Sequence, residues 1–471
     1  MTKRINLLLA AILGMSSCAT PPQKPEIATT ANAAPAKSWE RPDLVPVKSE
    51  TQNIVFRGAT ILTANGERLE EADLWIRDGK IVALGKDIEA PEAKEFDAKG
   101  RWLTPGLIDT HSHLGVYPVP GVEGHGDGNE ATSPNTGQVH ALQSVWPQDP
   151  GFYEALKGGV TALQILPGSA NLVGGLSATL QMRPAVSAQA MVFPGAPLGM
   201  KMACGENPKR VYGQKGGPST RMGTYAAFRQ IFLKVKDYQR AQARFQAQHE
   251  AWKAKPGAKP TDEPQAPPRD VAMEHLSGVF KGEILAHVHC YRADEMVQIL
   301  ELAHEFGFPV RSFHHAVESY KIRDILAEWN VATSTWADWW GFKMEAYDAI
   351  PQNAGLLADS GAKAIIHSDD AIGIQRLNQE AAKAYYSALE AGLEVSEDEA
   401  LRWITANAAW ALGIDHLTGT LEEGKRADIV VWTHHPFSVY ARPERVYVEG
   451  VLEFDRQNPK ASWSDFLVEQ Q

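Results

Sequence analysis

Two short runs, His111-Ser112-His113 and His287-Val288-His289, place imidazoles two residues apart. In an extended strand, residues at that spacing point to the same side. Two neutral imidazoles on one side of a strand end suit a divalent metal. The chain has fifteen histidines, so either pair taken alone reads equally well as core or surface. The setting distinguishes the first pair. Thr104-Pro105-Gly106 closes a β-rich stretch, and the apolar Leu107-Ile108 leads straight into the histidines.

The elements around these residues must carry them to one place. Strand signals open the body at 53–56, 60–62, 73–77 and 80–84, and Asp78-Gly79 between the last two predicts a hairpin turn. Apolar strands at 107–110, 161–166, 198–203, 284–287, 309–313, 331–334 and 364–367 then alternate with helical stretches. That alternation predicts parallel βα units from about Gly106 to Gly413. The last helix starts on a capping box, Ser396 to Glu399, and stops at Gly413. Strand signals return at 428–432 and 445–448, with Glu449-Gly450 as a turn. The order predicts a small β domain built from both chain ends (51–104 and 415–471) with a barrel (105–414) inserted. Within the barrel, 232–252 reads as a polar helix and 256–268 as a Pro-rich loop. Together they read as an exposed insertion without chemistry of its own.

The chain has 471 residues, 44% of them hydrophobic and 22% charged, a composition that excludes a disordered or fibrous chain. A net charge of −11 argues against nucleic-acid binding. Three cysteines are too few for a disulfide scaffold. At the start, Lys3 and Arg4 precede an apolar core, Leu7 to Leu13, too short to span a bilayer. Small residues and Cys18 follow, so 1–18 resembles a bacterial lipoprotein signal; a plain secretory signal cleaved near Ala19 is the alternative. Residues 19–50, rich in Ala, Pro, Thr and Lys, read as a flexible tether. The expectation is an exported, periplasmic protein that meets the membrane only through a lipid anchor, with a homo-oligomer left open.

The run Leu103-Thr104-Pro105-Gly106-Leu107-Ile108-Asp109-Thr110-His111-Ser112-His113 resembles the first-strand signature of the amidohydrolase superfamily. The run from Leu417 to Val431, LTGTLEEGKRADIVV, resembles the segment that follows the barrel in that family. The resemblance spans about Asn53 to Asp455. It is nearest to the imidazolonepropionase-related branch, which includes Xaa-Pro and other dipeptidases. The fold it implies is α/β: a distorted (β/α)8 TIM-type barrel with a small β-sandwich domain.

The same resemblance implies the ligands. His289-Cys290-Tyr291-Arg292-Ala293-Asp294 matches the fifth-strand run, which makes His289 the ligand and His287 its neighbour and rival. His315-Ala316-Val317-Glu318 matches the sixth-strand run and favours His315 over His314. His367-Ser368-Asp369-Asp370 matches the eighth strand, with Asp369 catalytic and Asp370 its competitor. In binuclear members a lysine carboxylated by carbon dioxide bridges two metals; Lys201 resembles it, and Glu206 competes. The implied metal set is therefore His111, His113, Lys201, His289, His315 and Asp369, holding a divalent metal, first of all two Zn²⁺.

Such ions lower the pKa of bound water towards about 7 and supply hydroxide at neutral pH. Asp369 then moves its proton to the leaving nitrogen. The expected reaction is hydrolysis of an amide or peptide C–N bond in a small substrate such as a dipeptide or N-acyl amino acid. Cyclic-amide hydrolysis, deamination, and a non-catalytic ligand-binding lipoprotein are the alternatives. Substrate contacts fall to loops: the Gly-rich 115–137, with Glu123, His125 and Asp127, reads as a lid. Trp336, Trp339 and Trp340 read as an apolar wall or as ordinary packing. Tyr291 and Arg292 are candidates for a substrate carboxylate, and Lys321 and Arg323 read as solvated. Cys204 and Cys290 follow Lys201 and His289 closely, and an oxidising compartment leaves a disulfide between them open.

Overall fold

The computed structural model describes residues 50–339 and 341–459. The signal, nearly all of the tether, and Trp340 lie outside the described residues. Among the described residues, sixteen strands form two sheets. The first takes β1 (Ile54–Leu62), β2 (Arg68–Arg77), β3 (Lys80–Gly85), β4 (Lys94–Asp97) and β5 (Trp102–Pro105) from one end of the chain. The barrel sheet follows: β6 (Leu107–Ser112), β7 (Val160–Ile165), β8 (Val173–Gln181), β9 (Gly199–Ala203), β10 (Leu285–His289), β11 (Val310–His314), β12 (Ala332–Thr335) and β13 (Ala364–Ile366). The first sheet is completed by β14 (Ile429–Trp432), β15 (Pro443–Val448) and β16 (Val451–Asp455).

The turn chemistry holds. Asp78 and Gly79 both take positive φ between β2 and β3, as Glu449 and Gly450 do between β15 and β16, the backbone that a tight primed hairpin requires. The two segments expected at 53–56 and 60–62 are one strand, β1, interrupted at Gly58. There φ is +69° and the pairing with β2 shifts register. Before that bulge β1 pairs β4, and after it β5. Ile54, Phe56, Ile61, Leu74, Leu103, Ile429 and Val431 fill a core of this sheet's own.

The barrel departs from the expected parallel run at one strand. β8 pairs antiparallel with both β7 and β9. The connection from Ile165 to Val173 is too short for a crossover helix, so the chain has to turn straight back. All nine residues of β8 are buried; they show no alternation, and Gly174-Gly175 reads locally as a loop, so the pattern gave no strand there. The sheet ends on β13 and β6. Residues 403–404 bridge that gap, with Ile108 N donating to Ile404 O at 2.9 Å and Ile366 N to Trp403 O at 3.1 Å.

The polar helix is longer than expected, Arg221–Ala254. Thr224, Tyr225, Phe228, Ile231, Phe232 and Val235 form a buried stripe along its first turns, and nothing is buried beyond Val235. Only its C-terminal half is therefore an exposed projection. No helix among the described residues is long and apolar enough to cross a membrane.

Candidate metal centre

The strand ends converge on one pocket. The Asp109 carboxylate, fully buried and pushed up to about 7 by desolvation, accepts from the backbone N–H groups of His111 and Ser368, each at 3.1 Å. It also accepts from the Ser368 hydroxyl. Asp369 N in turn donates to His111 O at 3.0 Å. The eighth strand end is thereby tied to the first. Asp369 and His315 are both held at positive φ (+52° and +60°), a conformation that costs energy in non-glycine residues and persists where surroundings enforce it.

That strain aims their side chains inward. Asp369 Oδ1 lies 3.2 Å from His113 Nε2 and 3.5 Å from His111 Nε2, and Oδ2 lies 3.6 Å from His315 Nδ1. Lys201 Nζ is 3.3 Å from His111 Nε2 and 3.0 Å from Pro167 O. His289 and His315 face each other with ring centroids 4.7 Å apart. Exposure across the group is uneven: His113 and Asp369 side chains are 19% and 25% exposed, and His111 and His315 at most 1%.

The donors suit a metal. Burial holds His111, His289 and His315 well below the usual histidine range, so these imidazoles are neutral, the form a metal takes. His113 Nδ1 donates to Leu166 O at 3.0 Å, which leaves the Nε2 lone pair for the pocket. His289 Nδ1 meets Ser169 Oγ at 2.8 Å while its Nε2 is buried without a hydrogen-bond partner. Two donor groups close to within 4.8 Å, His111 with His113 and Asp369, and His111 with His315 and His367. Burial lowers Lys201 to about 7, so a large share of its amine is uncharged at neutral pH, the form that adds carbon dioxide.

Several sequence alternatives separate by geometry. Glu206 faces Lys343 Nζ at 3.5 Å, away from the histidines. His314 lies behind the pocket, its Nδ1 2.9 Å from His111 Nδ1. His287 is deeper, on Ser312 Oγ at 2.8 Å. Asp370 Oδ1 accepts from Ile372 N at 2.9 Å and caps a turn. Arg292 pairs with Asp294 at the surface, whereas Tyr291 is buried and stacks on His315. Lys321 pairs with Asp348 at 2.6 Å.

Trp336 stacks on both His315 and His367 and donates Nε1–H to Ser368 O at 2.9 Å; Trp339 stacks on Trp336. In the Gly-rich loop His125 packs against Trp146. Sequence reasoning missed His367. Its Nδ1 donates to Thr335 O at 2.9 Å, which turns the Nε2 lone pair to His315 Nδ1 at 2.8 Å. The available signal was its place two residues before Asp369 at a strand end. Cys204 and Cys290, just beyond β9 and β10, form a disulfide.

Residues 348–453 match the sequence model described as amidohydrolase family. A solved amidohydrolase from Thermotoga maritima MSB8 is 35% identical, with a TM-score of 0.77, covering 86% of this chain and 100% of that one. The amidohydrolase tasK of Hapsidospora irregularis is 34% identical over 405 residues, 81% of this chain. The chain spans 40% of that relative's length. A shorter match, 41% identical over 65 residues (14% of this chain and 13% of the other), is to an N-acyl-D-aspartate deacylase of Alcaligenes xylosoxydans xylosoxydans.

Proposed function

The chain belongs to the amidohydrolase superfamily, and from that premise we propose that it is an exported, metal-dependent hydrolase of a C–N bond in a small substrate such as a dipeptide or N-acyl amino acid. The observation that carries the reading is the convergence of neutral imidazoles, Asp369 and Lys201 on one pocket, with His289 Nε2 buried and unpartnered. His111 and His113 with Asp369 are the donors for one ion, and His289 and His315 for a second, with Zn²⁺ suited to both sets. Lys201 stands beside His111, where its neutral amine, on adding carbon dioxide and losing a proton, would supply a carbamate as a further anionic donor.

Bound there, divalent ions supply an acidified water and a Lewis acid for the scissile carbonyl. Asp369 takes the proton of the attacking water on a carboxylate oxygen and passes it to the leaving nitrogen. Trp336 and Tyr291, packed against His315, keep bulk water from the closed side. His111, His113, His289, His315 and Asp369 lie at the C-terminal ends of barrel strands or just beyond them, where barrel enzymes carry their chemistry, and Lys201 lies two residues before the end of β9. The acylated amino acid in the deacylase's name agrees with an N-acyl substrate. The positive start, short apolar core and Cys18 support export as a lipoprotein, and a Cys204–Cys290 bridge suits an oxidising compartment.

The test is metal analysis of the purified protein, then a dipeptide and N-acyl amino acid screen run beside Asp369→Asn. Two metals per chain and turnover lost in the variant are expected. One metal per chain, unchanged by Lys201→Ala, favours a deaminase; full activity in Asp369→Asn refutes the proton role.

A further inference from the structure

Behind the pocket a chain of buried polar groups runs through the barrel interior. His111 Nδ1 is 2.9 Å from His314 Nδ1. His314 Nε2 is 2.8 Å from Ser312 Oγ and 3.2 Å from His287 Nδ1, and Ser312 Oγ is 2.8 Å from His287 Nδ1. His287 Nε2 is 3.2 Å from Gln164 Nε2, which is 3.0 Å from Ser177 Oγ. All six residues are at most 1% exposed, so water does not decide who donates.

Only two directions satisfy such a chain. With the Gln164 amide N–H on His287 Nε2, as here, the donors run inward: His287 Nδ1–H to Ser312, the Ser312 hydroxyl to His314 Nε2, His314 Nδ1–H to His111 Nδ1. His111 is then left with its proton on Nε2, the atom that faces Lys201 and Asp369. A metal on Nε2 requires the other tautomer, with Nδ1–H donating outward and every later donor reversed. That direction ends on His287 Nε2–H, which needs an acceptor. Gln164 has one, Oε1, buried and without any hydrogen-bond partner. Turning the amide brings it to His287.

We propose that Gln164 is a positioning residue for the metal centre, its amide orientation setting the His111 tautomer through His287, Ser312 and His314. The inference rests on the reading that His111 binds metal through Nε2. Outer partners that orient a ligand imidazole commonly change metal affinity 10–100-fold. Gln164→Glu, of the same shape but accepting at either oxygen, fixes the outward direction.

The experiment is ¹⁵N NMR of histidine-labelled protein, with Zn²⁺ affinity measured by competition with a chelator. In the metal-free wild type His287 is expected as the Nδ1–H tautomer, and in the Zn²⁺-loaded protein as Nε2–H. Gln164→Glu is expected to show Nε2–H without metal and to bind Zn²⁺ roughly tenfold more tightly. His314→Ala, which removes the ring that links His287 and Ser312 to His111, is expected to erase that gain. An identical His287 tautomer in the metal-free and loaded wild type overturns the proposal without using any variant. So does a Gln164→Glu gain that survives His314→Ala. If the wild type binds no Zn²⁺, the hydrolase reading fails, and a metal-free wild type with His287 already Nε2–H overturns the inference separately.

Discussion

The Cys204–Cys290 bridge joins positions 86 apart in the chain, and its removal has a size that can be worked out. A cross-link removes loop-closure entropy from the unfolded chain as about 2.1 + 1.5R ln n cal/mol/K. For n of 86 that is about 15 cal/mol/K, or about 4.6 kcal/mol at 25 °C. Roughly 410 described residues at about 2.1 cal/mol/K each give an unfolding entropy near 0.86 kcal/mol/K, so the expected fall in Tm is about 5 °C. The perturbation is the double substitution Cys204→Ala with Cys290→Ala, set against the wild type scanned with and without reductant.

The metal pocket is expected to survive the change. β9 and β10 stay laddered, with His287 opposite Lys201 and His289 opposite Ala203, and Cys204 N donates to His289 O at 2.9 Å. Zn²⁺ affinity should therefore stay within about threefold, a shift below 1 kcal/mol. The assay pairs calorimetry with chelator competition and a thiol count in denaturant. Two free thiols at 204 and 290 in the unreduced wild type, or an unchanged Tm, would refute the reasoning. Affinity lost in step with stability would show that the bridge shapes the pocket itself.

Asp369→Asn should lower kcat by about 10²–10⁴, read in a steady-state assay on the best substrate of the screen. Lys201→Ala should reduce metal content from two ions per chain to one, measured by elemental analysis after dialysis. Gly199→Ala should destabilise the barrel by about 1–3 kcal/mol. The new Cβ would sit 2.3 Å from Ser177 Oγ, 2.6 Å from His287 Cδ2 and 2.9 Å from Gln164 Nε2. Urea unfolding measures the loss, and the His287 ¹⁵N signals should shift with it.

Features that depend on neighbours in the chain were legible from the residues alone. The hairpins at Asp78-Gly79 and Glu449-Gly450, the Ser396 cap on Glu399 N and the same-side pair His111 and His113 follow from local backbone geometry and a two-residue period. The exception, β8, is buried on both faces, so no alternation marks it. The choice between adjacent rivals was not local. His314 and His315 differ in position because His315, at positive φ, lies just past the strand beside Asp369, while His314 stays in the strand behind. Lys201 rather than Glu206 meets His111 because Lys201 is buried within β9, whereas Glu206 opens the helix beyond that strand and faces Lys343.

The buried chain from His111 to Ser177 is legible only in three dimensions. His111 and His314 are 203 positions apart, and Gln164 and His287 are 123. Residue types and spacing determined which groups can bind a metal. Barrel closure decided which of them share one pocket, because only packing brings strand ends so distant in the chain within hydrogen-bonding reach.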